Sequence, residues 1–144
     1  MIFAEWIGAL QMKNYFDLTG RVAIVTGCSG GLGVQMAKAL ASQGCTIVPI
    51  ARRQEKIEEV AKQLNEEFGV DTYPIRCDIT NTDMVNDTVA KVLEKYGRID
   101  ILINNAGTGA VAPAEDITDE QFAGEVYIDL FAPLRLLAQW QSKP

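Results

Sequence analysis

The chain has 144 residues with a formal net charge of −6; 48% of the residues are hydrophobic and 22% charged. That length accommodates one domain with a substantial core, and the composition is that of a soluble globular protein. The acidic balance argues against nucleic-acid binding through a general positive field, but local geometry can still capture a phosphate-bearing small molecule.

Residues 1–11 are apolar, carry Glu5 and lack a basic leader. Their uncharged stretch is far short of the ~18 apolar residues of a membrane span, and they do not read as a signal peptide. The expectation is a tail over residues 1–15 and an ordered domain over 16–144. Cys28, Cys45 and Cys77 are an odd count without CxxC or metal-type spacing, as expected of reduced thiols in a cytoplasmic protein.

From Arg21 onward two kinds of segment alternate. Val22-Ala23-Ile24-Val25 is a short apolar run, the mark of a strand covered on both faces. The residues from Leu32 to Gln43, rich in alanine and closed by Gly44, read as a first helix. Thr46-Ile47-Val48-Pro49-Ile50 is a second strand whose proline is awkward at a central position. Ile57, Val60, Ala61, Leu64 and Phe68 recur at helical steps. Asp71-Thr72-Tyr73-Pro74-Ile75-Arg76 reads as a third strand, its proline suited to an edge. Met84, Val85, Thr88, Val89, Val92, Leu93 and Tyr96 form another apolar stripe, with Asn81 or Thr80 as N-cap and Gly97 as the stop. Ile99-Asp100-Ile101-Leu102-Ile103 is the fourth strand, and a last helix is expected from about Asp119. Strands alternating with helices imply a parallel sheet with right-handed helical crossovers.

The segment Thr26-Gly27-Cys28-Ser29-Gly30-Gly31-Leu32-Gly33 lies where the first strand ends and the first helix begins. Glycines there allow a sharp turn and close approach of a pyrophosphate, while the helix N-terminus offers free N–H groups and partial positive charge. The spacing is TGxxxGxG rather than GxGxxG. The second strand ends about twenty residues later, as a dinucleotide fold requires.

Three further motifs agree with it: the lead-in Phe16-Asp17-Leu18-Thr19-Gly20-Arg21-Val22-Ala23 before the first strand, Cys77-Asp78-Ile79 after the third strand, and Asn104-Asn105-Ala106-Gly107 after the fourth. Together they resemble the short-chain dehydrogenase/reductase family, from about Phe16 to Phe122, and within it the gluconate 5-dehydrogenase group of sugar-acid and polyol oxidoreductases. The resemblance implies a Rossmann-type doubly wound parallel sheet, truncated here after about four strands. It places Gly27, Ser29, Gly31, Leu32 and Gly33 along the cofactor phosphates, Asp78 and Ile79 at the adenine, and Asn104, Ala106 and Gly107 along the ribose.

An acid at the end of the second strand would accept hydrogen bonds from the ribose 2′-OH of NAD. Ala51 stands there and cannot. Arg52 and Arg53 follow, and a guanidinium suits a 2′-phosphate. NADP is therefore the expected cofactor, ahead of NAD. The alternative makes both arginines the solvated start of the next helix. Gly30 occupies a loop position often basic in NADP-preferring members.

Hydride transfer to or from an alcohol carbon needs a group to carry the hydroxyl proton. With no histidine in the chain, the commonest such group is missing. The family uses Tyr-x-x-x-Lys; four residues beyond Tyr15, Tyr73, Tyr96 and Tyr127 stand Thr19, Cys77, Asp100 and Phe131. Asp129 occupies the place of the family's helix asparagine, where an acid loses the amide's donor and adds charge. Pro133 is expected to interrupt the last helix, at about 3 kcal/mol or more in an interior. The chain ends where the family continues into its fifth strand; a truncated product, a frameshift or an engineered boundary accounts for this equally.

The expected reading is the cofactor half of an NADP-dependent oxidoreductase acting on a small alcohol or ketone, inactive alone. A non-catalytic NADP-binding module and a non-functional fragment are the alternatives. The bare fourth strand and the apolar Leu130, Phe131, Leu134, Leu136, Leu137 and Trp140 predict marginal stability or self-association as a homo-oligomer, without membrane or nucleic-acid partners.

Overall fold

The computed structural model describes residues 14–109 and 112–141. Residues 1–13 of the tail expected over 1–15, Ala110 and Val111, and residues 142–144 lie outside them. Four strands form one parallel sheet in the order β3-β2-β1-β4: β1 (Val22–Thr26), β2 (Thr46–Ala51), β3 (Ile75–Arg76) and β4 (Ile101–Ile103).

All five residues of β1 are buried, because β1 lies between two strands and both its faces are covered. Side chains alternate across a strand. Val22 and Ile24 enter a core with Val85, Val89, Val92 and Leu136; Ala23 and Val25 enter a second core with Ala37, Ala41, Val60 and Leu64. The first core is closed by α3 (Thr82–Tyr96) and α5 (Ala132–Gln141), the second by α1 (Gly31–Ala41) and α2 (Gln54–Phe68). Helices on both faces make the fold the doubly wound, Rossmann-type sheet expected from the alternation.

The helix signals act as expected. The Asn81 side chain accepts hydrogen bonds from the N–H groups of Asp83 and Met84, and Gly97, with φ at +71°, ends α3. Thr118 and Gln121 form a reciprocal capping box at the start of α4 (Asp119–Val126).

Pro49 sits inside β2, a central strand, and the ladder shows why it is tolerated. N–H groups point alternately to the two sides of a strand: that of Thr46 reaches Arg21 on the β1 side, that of Ile47 reaches Asp71 on the β3 side. Position 49 follows Ile47 in that alternation, so the proline nitrogen faces β3. There the pairing is already broken, between an isolated bridge at Ile47 and Thr72 and the resumed ladder at Ile50 and Ile75. The expected third strand shrinks accordingly to two residues at the sheet edge.

Pro133 does not interrupt the helical run, which corrects the sequence expectation. A π-helical segment, Tyr127–Phe131, precedes α5, and the Ala132 N–H reaches back five residues to the Tyr127 carbonyl. The wider turn relieves the clash that a proline ring makes with the preceding turn of a regular helix. Arg135 clamps the segment from α5, its Nη1 donating to the Tyr127 hydroxyl at 2.7 Å and to the Thr82 hydroxyl.

Asp100 fastens the entrance of the sheet. Its carboxylate accepts hydrogen bonds from the Val22 N–H at 2.9 Å, Arg21 Nη1 at 2.9 Å and Arg98 Nε at 2.8 Å. Burial pushes its pKa up, but the bonds from Arg98, Val22 and Arg21 outweigh that and hold it at about 2. A depressed carboxyl stabilises the fold above its unfolded pKa of about 3.9, and the contribution is lost as pH falls toward the folded value. Because both guanidinium groups are half exposed, the gain is of order 1 kcal/mol. Thermal melts between pH 6 and 2 are expected to show Asp100→Asn less stable than the parent at pH 6 and level with it near pH 2; a constant gap across that range would refute the assignment.

β4 pairs with β1 on one side and with no strand on the other among the described residues. Phe122, Leu130, Phe131 and Leu134 are each more than half exposed on the α4–α5 run. No described helix is long and apolar enough to cross a membrane.

Candidate functional site

The carboxyl ends of the four strands surround a cleft of about 890 Å³. In an open parallel sheet the crossovers from neighbouring strands leave to opposite faces where the strand order reverses, which opens a crevice there. Here that point is between β1 and β4. Gly27 and Ser29 line the cleft from the glycine turn, Ile50 to Arg53 from the end of β2, Cys77 to Thr80 from beyond β3, Asn105 to Thr108 from beyond β4, and Ile128 from the π-helical segment.

The glycines divide into two physical kinds. Gly27 has φ at +65°, and a Cβ there would stand 2.8 Å from the Ala106 Cα; one on Gly33 would stand 2.6 Å from the Gly27 carbonyl oxygen and 2.7 Å from Asn105 Nδ2. These two permit close packing of the turn. Gly30 and Gly31 are exposed at the N-terminus of α1, with nothing within 4 Å of such a Cβ, and neither lines the cleft.

Thr26 and Asn105 lock the turn to the end of β4. The Thr26 hydroxyl, on a residue 1% exposed, accepts the N–H groups of Asn105 and Ala106, both at 2.9 Å, and donates to the Ile103 carbonyl at 3.2 Å. Asn105 Nδ2 returns a hydrogen bond to the Thr26 carbonyl at 3.0 Å. Cys28 is buried beside them, and burial pushes its thiol up to about 12, so it stays protonated and is inert. None of the three cysteines is in a disulfide, and all are buried.

At the other end, Asp78 is held below its usual pKa, first by the Thr80 hydroxyl and Thr80 N–H, at 2.7 and 3.0 Å, and then by the charges of Arg52 and Arg76. It is a carboxylate at neutral pH, an acceptor only. Arg53 Nη2 donates to the Ser29 hydroxyl at 3.3 Å, bridging the tip of β2 to the glycine turn. Arg76 Nε donates to the Arg52 carbonyl at 3.1 Å.

Of the predicted cofactor residues, Gly27, Ser29, Arg52, Arg53, Asp78, Ile79, Ala106 and Gly107 come together around the cleft. Gly31, Leu32, Gly33 and Asn104 do not line it; Leu32 is 70% exposed on α1, and Gly33 is buried in packing. Asp129 stands with its carboxylate against Gly107, one oxygen 3.0 Å from where a Cβ would be. Sequence reasoning missed Asn105, the inward member of the asparagine pair. It also missed Thr26, whose place at the end of a buried strand was the available signal.

A doubly wound sheet with a glycine turn and a cleft at its switch point defines an α/β protein of Rossmann type. The model of the short chain dehydrogenase family matches residues 21–141. The chain belongs to that family, whose characterised members are oxidoreductases. It is 40% identical over 113 residues to the uncharacterized oxidoreductase YxjF of Bacillus subtilis (strain 168), covering 78% of this chain and 44% of that one. Among solved structures, L-sorbose reductase from Gluconobacter frateurii, complexed with NADPH and L-sorbose, superposes with a TM-score of 0.78 at 35% identity, over 87% of this chain and 48% of the other. A xylitol dehydrogenase bound to NAD+ gives 0.80 at 33% identity, over 85% and 47%. The chain spans about half the length of these relatives.

Proposed function

We propose that this chain is the NADP-binding portion of a short-chain dehydrogenase/reductase that moves hydride between nicotinamide and an alcohol or ketone of the sugar-acid or polyol class. The observation that carries the cofactor is the tip of β2: Ala51 stands where an acid would serve NAD, and Arg52 and Arg53 line the cleft beside it. Relatives bind either cofactor, NADPH in L-sorbose reductase and NAD+ in xylitol dehydrogenase, so the choice rests on these residues. The substrate class leans on the same two relatives and on the resemblance to the gluconate 5-dehydrogenase group.

When bound, the nicotinamide supplies the hydride chemistry. The chain's own residues bind and orient. Gly27, Gly31 and Gly33 shape the phosphate cradle, with Ser29 and Leu32 beside it; Arg52 and Arg53 meet the 2′-phosphate. The ionised Asp78 accepts from the adenine amino group beside Ile79. Asn104, Ala106 and Gly107 follow the ribose. With Asp129 at the family's asparagine position and no Tyr-x-x-x-Lys in its sequence, the chain binds cofactor without turnover by itself. Its exposed apolar face and open β4 edge support self-association.

Fluorescence titration of the chain with NADPH and with NADH tests the reading. NADPH is expected to bind more tightly, and Arg52→Ala to remove about ten- to hundredfold of that preference, the span of a hydrogen bond to a charged group. A second reading, a non-catalytic NADP-binding module, shares this outcome. It gains ground if a full-length version carrying its own Tyr and Lys also fails to turn over. Binding of neither nucleotide overturns both and leaves a non-functional fragment.

A further inference from the structure

Ala51 and Arg76 face each other across the β2–β3 ladder. The cross-strand neighbour of the position where an acid would stand is therefore a cation. Arg76 does not line the cleft, whereas Arg52 and Arg53 do. From outside it, Arg76 Nε donates to the Arg52 carbonyl at 3.1 Å.

The turn it holds is short. Only Arg52 and Arg53 separate the end of β2 from the start of α2 at Gln54. Arg53 is tethered on the cleft side through Ser29. Arg52 is tethered through its main chain by Arg76, which leaves its guanidinium free of hydrogen bonds to other described residues. A planar fork gains most from a bidentate anion when the backbone carrying it is already set.

We infer that Arg76 is a positioning residue for cofactor preference: by holding the Arg52 carbonyl it sets the β2–α2 turn so that Arg52 meets the 2′-phosphate of NADP. The inference rests on the NADP reading above and adds to it a residue outside the contact shell. The competing role for Arg76 is that of an edge-strand charge that discourages pairing with another chain, which predicts no effect on preference.

The test is a double-mutant cycle on the whole chain, titrated with NADPH and NADH: the parent, Arg76→Met, Arg52→Ala and the double variant. Arg76→Met removes the donor and keeps much of the side chain's length; it is expected to lower the preference for NADPH by about tenfold in the parent and by less than about twofold once Arg52 is gone, since coupled residues are not additive. Affinity for NADH is expected to stay within about twofold. Arg76→Gln keeps a donor at the place of Nε without the charge, and is expected to retain most of the preference. Preference unchanged in Arg76→Met, an equal loss on both nucleotides, the same loss with and without Arg52, or a loss in Arg76→Gln as large as in Arg76→Met overturns the inference. A parent that shows no preference overturns the NADP reading itself, so the two failures are told apart by the parent titration.

Discussion

Replacing Thr26 with valine is expected to lower the stability of this chain by about 2–4 kcal/mol, with loss of nucleotide binding. The substitution preserves shape and removes one hydroxyl. That hydroxyl accepts the N–H groups of Asn105 and Ala106 and donates to Ile103, so two donors and an acceptor lose their partner at once. A buried polar group left unsatisfied costs about 1–3 kcal/mol, and because Asn105 and Ala106 line the open cleft, where water replaces part of the lost bonding, the three together cost less than three full penalties. The sum is a large share of the roughly 5–15 kcal/mol that holds a domain together, and corresponds to a fall of roughly 10 °C in melting temperature. Thr26→Ser keeps the hydroxyl and is expected to recover most of the loss. Equal melting temperatures for the parent and the valine variant would show that the lock contributes nothing.

Gly27→Ala is expected to be at least as damaging, and by a different route. With φ at +65° the backbone is left-handed, which costs an L-residue about 1–2 kcal/mol. The new methyl would also meet Ala106 main-chain atoms at 2.8 and 3.0 Å; forcing such an overlap apart adds about 1–3 kcal/mol. Gly31→Ala isolates the first effect, because φ is +57° there and nothing lies within 4 Å. It is expected to lose only the conformational part of the stability, yet to lose NADPH binding as fully, since on the proposed reading the phosphates lie against Gly31, beside the cleft. Urea unfolding and NADPH titration of the two variants check this: binding intact in Gly31→Ala would mean that the space above α1 holds no phosphate.

The fold was legible because its signals are local and mutually consistent. The apolar run Val22-Ala23-Ile24-Val25, the stripe Ile57-Val60-Ala61-Leu64 and the cap and stop at Asn81 and Gly97 each state their element directly. Pro49 and Pro133 were harder. Both obey the rule that proline lacks a donor, but which side of β2 the missing donor faces, and whether the preceding turn widens, depend on tertiary register. Of the glycine-turn residues singled out in the sequence, Gly27 and Ser29 line the cleft and Gly31, Leu32 and Gly33 do not; Asp78, which also lines it, was legible by resemblance rather than by a local signal. Asn105 was not, because strand alternation ceases where the chain leaves β4 after Ile103. Arg76 was not, because its neighbour Ala51 lies 25 positions away and is met only through strand pairing.

Pro49 has one further consequence. The glycine-turn end of the cleft is built on β1, β2 and β4, joined without a gap and cross-bolted by Thr26, whereas the Asp78 end follows a two-residue strand beyond the proline and is tied back by the Arg76–Arg52 and Arg53–Ser29 bonds. On the proposed NADP reading, the pyrophosphate rests on the stiff part of the sheet and the choice of nucleotide on its thinly paired edge, so exchanging side chains at 51, 52, 76 and 78 is expected to alter preference while the glycine turn stays intact.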